Sequence, residues 1–129
     1  MGEMPMTEKQ YLQDEQRFIE LCDSVIMDKV DYGEKARVVK HNKAQTTLNR
    51  IANRQAEDRD TAERFFSDLM AHESPRVRLT GAGYALAKGV CETQALQILR
   101  EFASGTDKGA AFHASMSLLA WELESKYKT

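Results

Sequence analysis

The stretch Glu73–Leu86, ESPRVRLTGAGYAL, constrains the fold more than any other part of the chain. Pro75 suits the first position of an α-helix, where no backbone N–H is needed, and Ser74 before it is a typical N-cap residue. Gly81-Ala82-Gly83 follow within the same helix, although each glycine costs about 1 kcal/mol of helix stability relative to alanine. We expect this small-residue face either to contact a neighbouring helix closely or to form a smooth surface for a partner.

Helical periodicity of apolar residues extends through the rest of the chain, and no segment shows the sustained alternation that predicts a strand. We predict six helices, at about 7–30, 34–57, 60–72, 75–88, 91–103 and 110–126. Thr7 should cap the first helix, Gly33 and Gly89 should end the first and fourth, and Asp58 or Asp60 should begin the third. The short connections predict an all-α domain of three antiparallel helix pairs.

Each predicted helix has an apolar face, which we expect to be buried. The apolar face of the first helix comprises Tyr11, Phe18, Cys22 and Val25 or Ile26. That of the second comprises Ala44, Leu48, Ile51 and Gln55, and that of the third comprises Ala62, Phe65, Phe66, Leu69 and Met70. The fourth helix contributes Leu86 and the fifth contributes Ala95, Ile98, Leu99 and Phe102. The sixth contributes Phe112, Met116, Leu119 and Leu123.

The length and the charge distribution fit one globular domain over residues 1–129. Residues 1–31 carry eight acidic and three basic side chains, whereas residues 32–54 carry six basic and one acidic. We expect the acidic first helix and the basic second helix to attract each other as neighbours. No apolar run is long enough for a membrane span and no signal-peptide pattern is present, so we expect a cytoplasmic protein.

The sequence contains no motif that predicts catalysis or metal binding. Its two cysteines and three histidines lack metal-ligand spacing, and neither a nucleophile elbow nor a phosphate-binding glycine loop occurs. His41 falls on the apolar arc of the second helix, where a core role is typical, and His72 falls at a helix C-terminus, where a cation is favoured. We therefore expect a non-enzymatic protein without a metal or cofactor.

Three further segments carry a family resemblance. They are Lys40-His41-Asn42-Lys43-Ala44, then Pro75-Arg76-Val77-Arg78-Leu79 with Ala85-Leu86, and then Ala111–Leu118 followed by Trp121-Glu122. In this order they resemble a small bacterial family of HEAT-like helical-repeat proteins, catalogued as a domain of unknown function (number twenty-nineteen). The resemblance covers about residues 35–124 and implies a HEAT/armadillo-like α-α superhelix, with a plain helical bundle as the alternative. Genes of this family sometimes lie beside toxin genes, which implies an immunity role for some members.

The resemblance implies a protein that binds and neutralises a cognate bacterial toxin domain. An adaptor for an endogenous protein is the alternative, and nucleic-acid binding through Lys40, Lys43, Arg50 and Arg54 is disfavoured by the acidic pI of about 5.9. In HEAT-type pairs the second helices line the concave face, which here means helices two, four and six. We expect their exposed, partner-binding residues to be Lys43, Arg50, Arg54, Arg76, Thr80, Tyr84, His113, Ser117, Trp121 and Glu124. Trp121 could instead pack in the core, and the arginines could be solvated or could pair with the first helix.

Overall fold

The structure is a computed structural model that describes residues 8–25 and 35–127. These residues form six α-helices and no strand, which confirms the predicted all-α class. The helices are α1 (Glu8–Val25), α2 (Lys35–Gln55), α3 (Arg59–Met70), α4 (Pro75–Lys88), α5 (Glu92–Ala103) and α6 (Lys108–Tyr127). The predictions for Thr7, for the break at 31–33 and for Ile26 lie outside the described residues.

Local signals account for several helix ends. The Asp58 carboxylate accepts a hydrogen bond from the Thr61 N–H at 2.9 Å, so Asp58 caps α3 as predicted. Gly89 has a φ of 71° and ends α4 in the left-handed conformation that glycine adopts readily. Asp107 accepts a hydrogen bond from the Ala110 N–H at 3.1 Å, which explains why α6 begins before the predicted residue 110.

The start of α4 differs from the prediction. Ser74 occupies the N-cap position before Pro75, but its side chain makes no capping hydrogen bond. The Ser74 N–H instead donates to Nδ1 of His72 at 2.9 Å. Nδ1 of His72 therefore acts as an acceptor at this turn, and the pre-set φ of Pro75 remains the main local signal for the helix start.

Consecutive helices pack against one another along the chain, as in a helical-repeat arrangement. In addition, α4 contacts α1, α3 and α6, so it is the central element of the stack. Gly81 explains how α3 approaches α4 closely, because a Cβ atom at this position would lie 2.9 Å from the Cβ atom of Leu69. The close-contact interpretation of the small-residue face is therefore confirmed at Gly81.

Aromatic rings join α1 and α3 at the centre of the core. Phe65 makes edge-to-face contacts with Tyr11, Phe18 and Phe66, with ring centroids 5.3–5.9 Å apart. Such geometry adds about 0.5–1.5 kcal/mol per pair beyond the burial of apolar area. The predicted core faces of α2 and α3 are buried throughout, and so are the predicted core residues Tyr11, Phe18, Cys22, Leu86, Ala95 and Leu99.

The predicted orientation of α6 was wrong. The side chains of Phe112 and Leu119 are 69% and 45% exposed, and those of Met116 and Leu123 are also exposed. The opposite face, with Ala110 and Ala114 buried, packs toward the core instead. Apolar residues occur on both faces of α6, and alanines allow a closer helix approach than phenylalanine, so periodicity alone selected the wrong face. On α5, Ile98 and Phe102 are half-buried rather than fully buried.

Candidate functional site

Helices α2, α4 and α6, which are the second helices of the three predicted pairs, form one groove together. The groove has a volume of about 190 Å³. The residues that line this α2–α4–α6 groove are Gln45 of α2, Thr80, Gly83, Tyr84 and Ala87 of α4, and His113 and Ser117 of α6. Six of the predicted partner-binding residues therefore lie in or beside it. Thr80, Tyr84, His113 and Ser117 line the groove, and Trp121 and Glu124 line the adjoining pocket.

Tyr84 is fixed at the wall of the groove between α2 and α4. Its hydroxyl accepts a hydrogen bond from Nε2 of Gln45 at 2.6 Å and donates one to Oδ1 of Asn49. Its ring makes an edge-to-face contact with Phe18, 5.7 Å between centroids. Burial raises the pKa of Tyr84 to about 12, so the phenol is neutral near pH 7. Tyr84 thus presents a rigid, half-buried aromatic surface to the groove.

Thr80 contradicts the expectation that it would be exposed. It retains only 2% of its accessible surface, because side chains of neighbouring helices cover this turn of α4. Within the described part of the chain, its Oγ1 atom has no hydrogen-bond partner. A buried hydroxyl without a partner costs about 1–3 kcal/mol of stability.

Gly83 keeps the middle of the groove open. A Cβ atom at Gly83 would lie 3.5 Å from Oγ of Ser117 and 4.0 Å from Nε2 of His113, which are ordinary contact distances. Gly83 and Ser117 also line a second pocket of about 160 Å³, which continues to Trp121 and Glu124. The absence of a side chain at Gly83 therefore connects two small adjacent concavities.

Two ring side chains of α6 lie at these pockets, His113 and Trp121, and both are half-buried. His113 is half-buried, and burial lowers the pKa of its imidazole, which favours the neutral form. The Trp121 indole N–H donates to Oε1 of Glu92 on α5 at 2.7 Å, and its ring packs against the core while remaining partly accessible. Trp121 therefore packs against the core with part of its ring and leaves the rest accessible at the surface.

In the described part of the chain, none of the four predicted basic residues lines the groove or the adjoining pocket. Lys43 and Arg50 are exposed as expected, whereas Arg54 turns toward α1 and forms an ion pair with Asp14 at 2.6 Å. Arg54 therefore takes the alternative role of pairing with the first helix, because the buried Asp14 carboxylate attracts its guanidinium group. Its side chain stays 39% exposed, and its contact with a partner stays a prediction. Arg76 is half-buried near the start of α4, and Glu124 is exposed near the end of α6. The side chains of Lys40 and His41 lie outside the described part.

Sequence reasoning missed the polar residues that hold the groove walls. Gln45 and Asn49 form hydrogen bonds with Tyr84, and Asn53 receives one from Lys88 of α4. These three α2 residues recur every fourth position, so they follow one helical face. That spacing indicates a shared polar face, but only the packing of α2 beside α4 shows that the face meets another helix.

Comparisons with known proteins leave the family unassigned. No protein-family model, no curated protein and no solved structure matches the chain. The resemblance to the HEAT-like family of unknown function therefore stays a prediction. Among the described residues, no group of three or more histidines, cysteines or carboxylates could hold a metal ion, and no helix is long and apolar enough to cross a membrane.

Proposed function

We propose that the chain is a protein-binding module whose α2–α4–α6 groove receives side chains of a partner protein. The observation that carries this proposal is the pair of connected concavities around Gly83, of about 190 and 160 Å³. Small-molecule sites usually enclose about 300–1,000 Å³, so each concavity is smaller than such a site.

The residues around these concavities are suited to protein recognition. Tyrosine, tryptophan and arginine are the types most enriched at binding hot spots, and Tyr84 and Trp121 are both partly accessible here. Hydrogen bonds to α2 and α5 hold the two rings before any partner arrives. This preorganisation lowers the entropy cost of binding.

Our more specific proposal is an immunity protein that binds a cognate bacterial toxin domain in the cytoplasm. Its support is the family resemblance of residues 35–124 together with the groove. Binding would neutralise the toxin by covering its active site or its substrate surface, so the chain itself needs no catalytic step and no cofactor. An adaptor for an endogenous protein would use the same groove, with a partner that has no toxic activity.

The basic residues of α2 give weaker support to nucleic-acid binding. Of the four that suggested it, Arg54 is neutralised by Asp14, and Lys43 and Arg50 are exposed. The side chain of the fourth, Lys40, lies outside the described part. Among the described members of this set, two exposed cations supply few phosphate contacts, whereas strong binding requires several. Protein binding therefore remains the better-supported function for this face.

The product of the gene immediately upstream of this chain's gene is the probe that tests the proposal. The chain should copurify with that product and protect cells from its toxicity, and Tyr84→Ala should weaken binding about tenfold or more. Gln97→Ala, an exposed position on α5 outside the groove, is the matched control and should bind normally. A non-toxic upstream product that copurifies would contradict the immunity role but support an adaptor. Normal binding by a folded Tyr84→Ala variant would contradict the groove assignment.

A further inference from the structure

Two polar atoms of α6 face the middle of the α2–α4–α6 groove. A Cβ atom at Gly83 would lie 3.5 Å from Oγ of Ser117 and 4.0 Å from Nε2 of His113, so both atoms border the same space. The two residues are four positions apart, which places them on one face of α6. Within the described part of the chain, neither side chain makes a hydrogen bond. Both atoms can therefore bond to a ligand that enters beside Gly83.

The groove carries no formal charge near pH 7. Of the described residues that line it, Tyr84 and His113 are the ionisable ones. Burial raises the pKa of Tyr84 to about 12 and lowers the pKa of His113, so both rings are neutral. Glu124 borders only the adjoining pocket and is exposed, so water screens its charge. A charged group in the groove would lose water without meeting an opposite charge, which disfavours a charged ligand.

The same two polar atoms disfavour a purely apolar ligand group. Carbon atoms packed against Oγ of Ser117 and Nε2 of His113 would exclude water from both without supplying a hydrogen bond. A hydroxyl can donate and accept, and a neutral imidazole has one donor and one acceptor nitrogen. The best match is therefore an uncharged group that donates one hydrogen bond and accepts another.

A primary carboxamide, the end group of asparagine and glutamine, has this chemistry. Its oxygen and its NH₂ group are attached to one carbon, so both can point toward the same wall of the groove. A main-chain peptide group is trans, so its N–H and C=O point in opposite directions and only one of them can face α6. We infer that the α2–α4–α6 groove binds a side-chain carboxamide of the partner protein, with Ser117 and His113 as its hydrogen-bond partners. This inference rests on the proposed protein-binding function of the groove.

Propionamide is the probe that tests this inference, because it carries a primary carboxamide on a short apolar chain. Titration into the ¹⁵N-labelled full chain at about pH 7.5, where a histidine is neutral, should shift the backbone amide resonances of Gly83, His113 and Ser117 saturably. The Kd should lie in the millimolar range that so small a ligand can reach. Propionate, propylammonium and N-methylacetamide are similar in size, and each should bind at least about fivefold more weakly.

Ser117→Ala should weaken propionamide binding about fivefold or more, because it removes one hydrogen-bonding atom without adding volume. Ser115→Ala, at an exposed serine of α6 outside the groove, is the matched control and should bind as the wild type does. Circular dichroism should show both variants folded.

Three results would overturn the inference: no saturable shifts with propionamide, equal affinity of Ser117→Ala and wild type, or equally tight binding of any of the other three probes. Each of these results concerns the carboxamide alone. The groove proposal has its own test in the binding of the upstream gene product by Tyr84→Ala.

Discussion

The guanidinium group of Arg54 in α2 donates two hydrogen bonds to the carboxylate of Asp14 in α1, from Nε at 2.8 Å and from Nη2 at 2.6 Å. Asp14 is only 3% exposed, and Nε2 of Gln55 donates a third hydrogen bond to it at 2.8 Å. This cluster is the structural outcome of the acidic first helix and the basic second helix. It fixes α2 against α1, and so it also fixes one wall of the groove.

Removing the Asp14 carboxylate should destabilise the fold. Asp14→Ala leaves the donors of Arg54 and Gln55 without their acceptor, so we expect a loss of about 2–4 kcal/mol in the free energy of unfolding. Urea unfolding followed by circular dichroism measures this loss. Glu20→Gln is the control, because the Arg17–Glu20 pair is exposed with its atoms 3.6 Å apart, and it should cost less than about 0.5 kcal/mol. Equal effects of the two variants would contradict the structural role of the cluster.

The two glycines of α4 should respond oppositely to the same substitution. Gly81→Ala places a Cβ atom 2.9 Å from the Leu69 Cβ atom, so we expect a loss of about 1–3 kcal/mol in unfolding free energy. Gly83→Ala meets only Ser117 at 3.5 Å and His113 at 4.0 Å, so its better helix propensity should add up to about 1 kcal/mol. Thermal melts of the two proteins check the difference. A stabilised Gly81→Ala variant would contradict the close approach of α3 and α4.

Two phenylalanines should differ strongly in their contribution to stability. Phe65 is fully buried within the aromatic cluster, so Phe65→Ala should cost about 3–5 kcal/mol. Phe112 is 69% exposed, and Phe112→Ala should stay within about 1 kcal/mol of wild type. Denaturant unfolding of both variants decides between this orientation of α6 and the one that periodicity predicted. A large loss for Phe112→Ala would restore the predicted orientation.

His113 should make stability depend on pH in mildly acidic solution. Burial holds its folded-state pKa below the value of about 6.5 that an unfolded histidine has, so the unfolded chain binds this proton first. Stability should therefore fall as the pH drops below about 6.5. His113→Gln should remove part of that fall. Melting temperatures of both proteins between pH 7.5 and pH 4.5 measure the difference, and parallel curves would show that burial of His113 does not control it.

The sequence predicts the fold much better than the groove. Helix order, the core faces of α2 and α3, and the contact at Gly81 follow from local periodicity and from the size of glycine. The orientation of α6 does not follow, because it has apolar residues on both faces and only packing decides between them. The burial of Thr80 and the turn of Arg54 toward Asp14 likewise depend on contacts between helices distant in sequence. Neither the fold nor the spacing of residues along the helices specifies which partner the protein binds.

A partner protein that binds in the groove should occupy the concavities around Gly83. Gly83→Gln tests it most directly, because the new side chain fills the space between α2 and α6, while Gly83→Ala leaves that space largely open. The measurement is the affinity of each folded variant for the upstream gene product, by isothermal titration calorimetry. We expect near wild-type affinity for Gly83→Ala and at least a tenfold loss for Gly83→Gln. Wild-type affinity of both variants would show that the partner does not enter this groove.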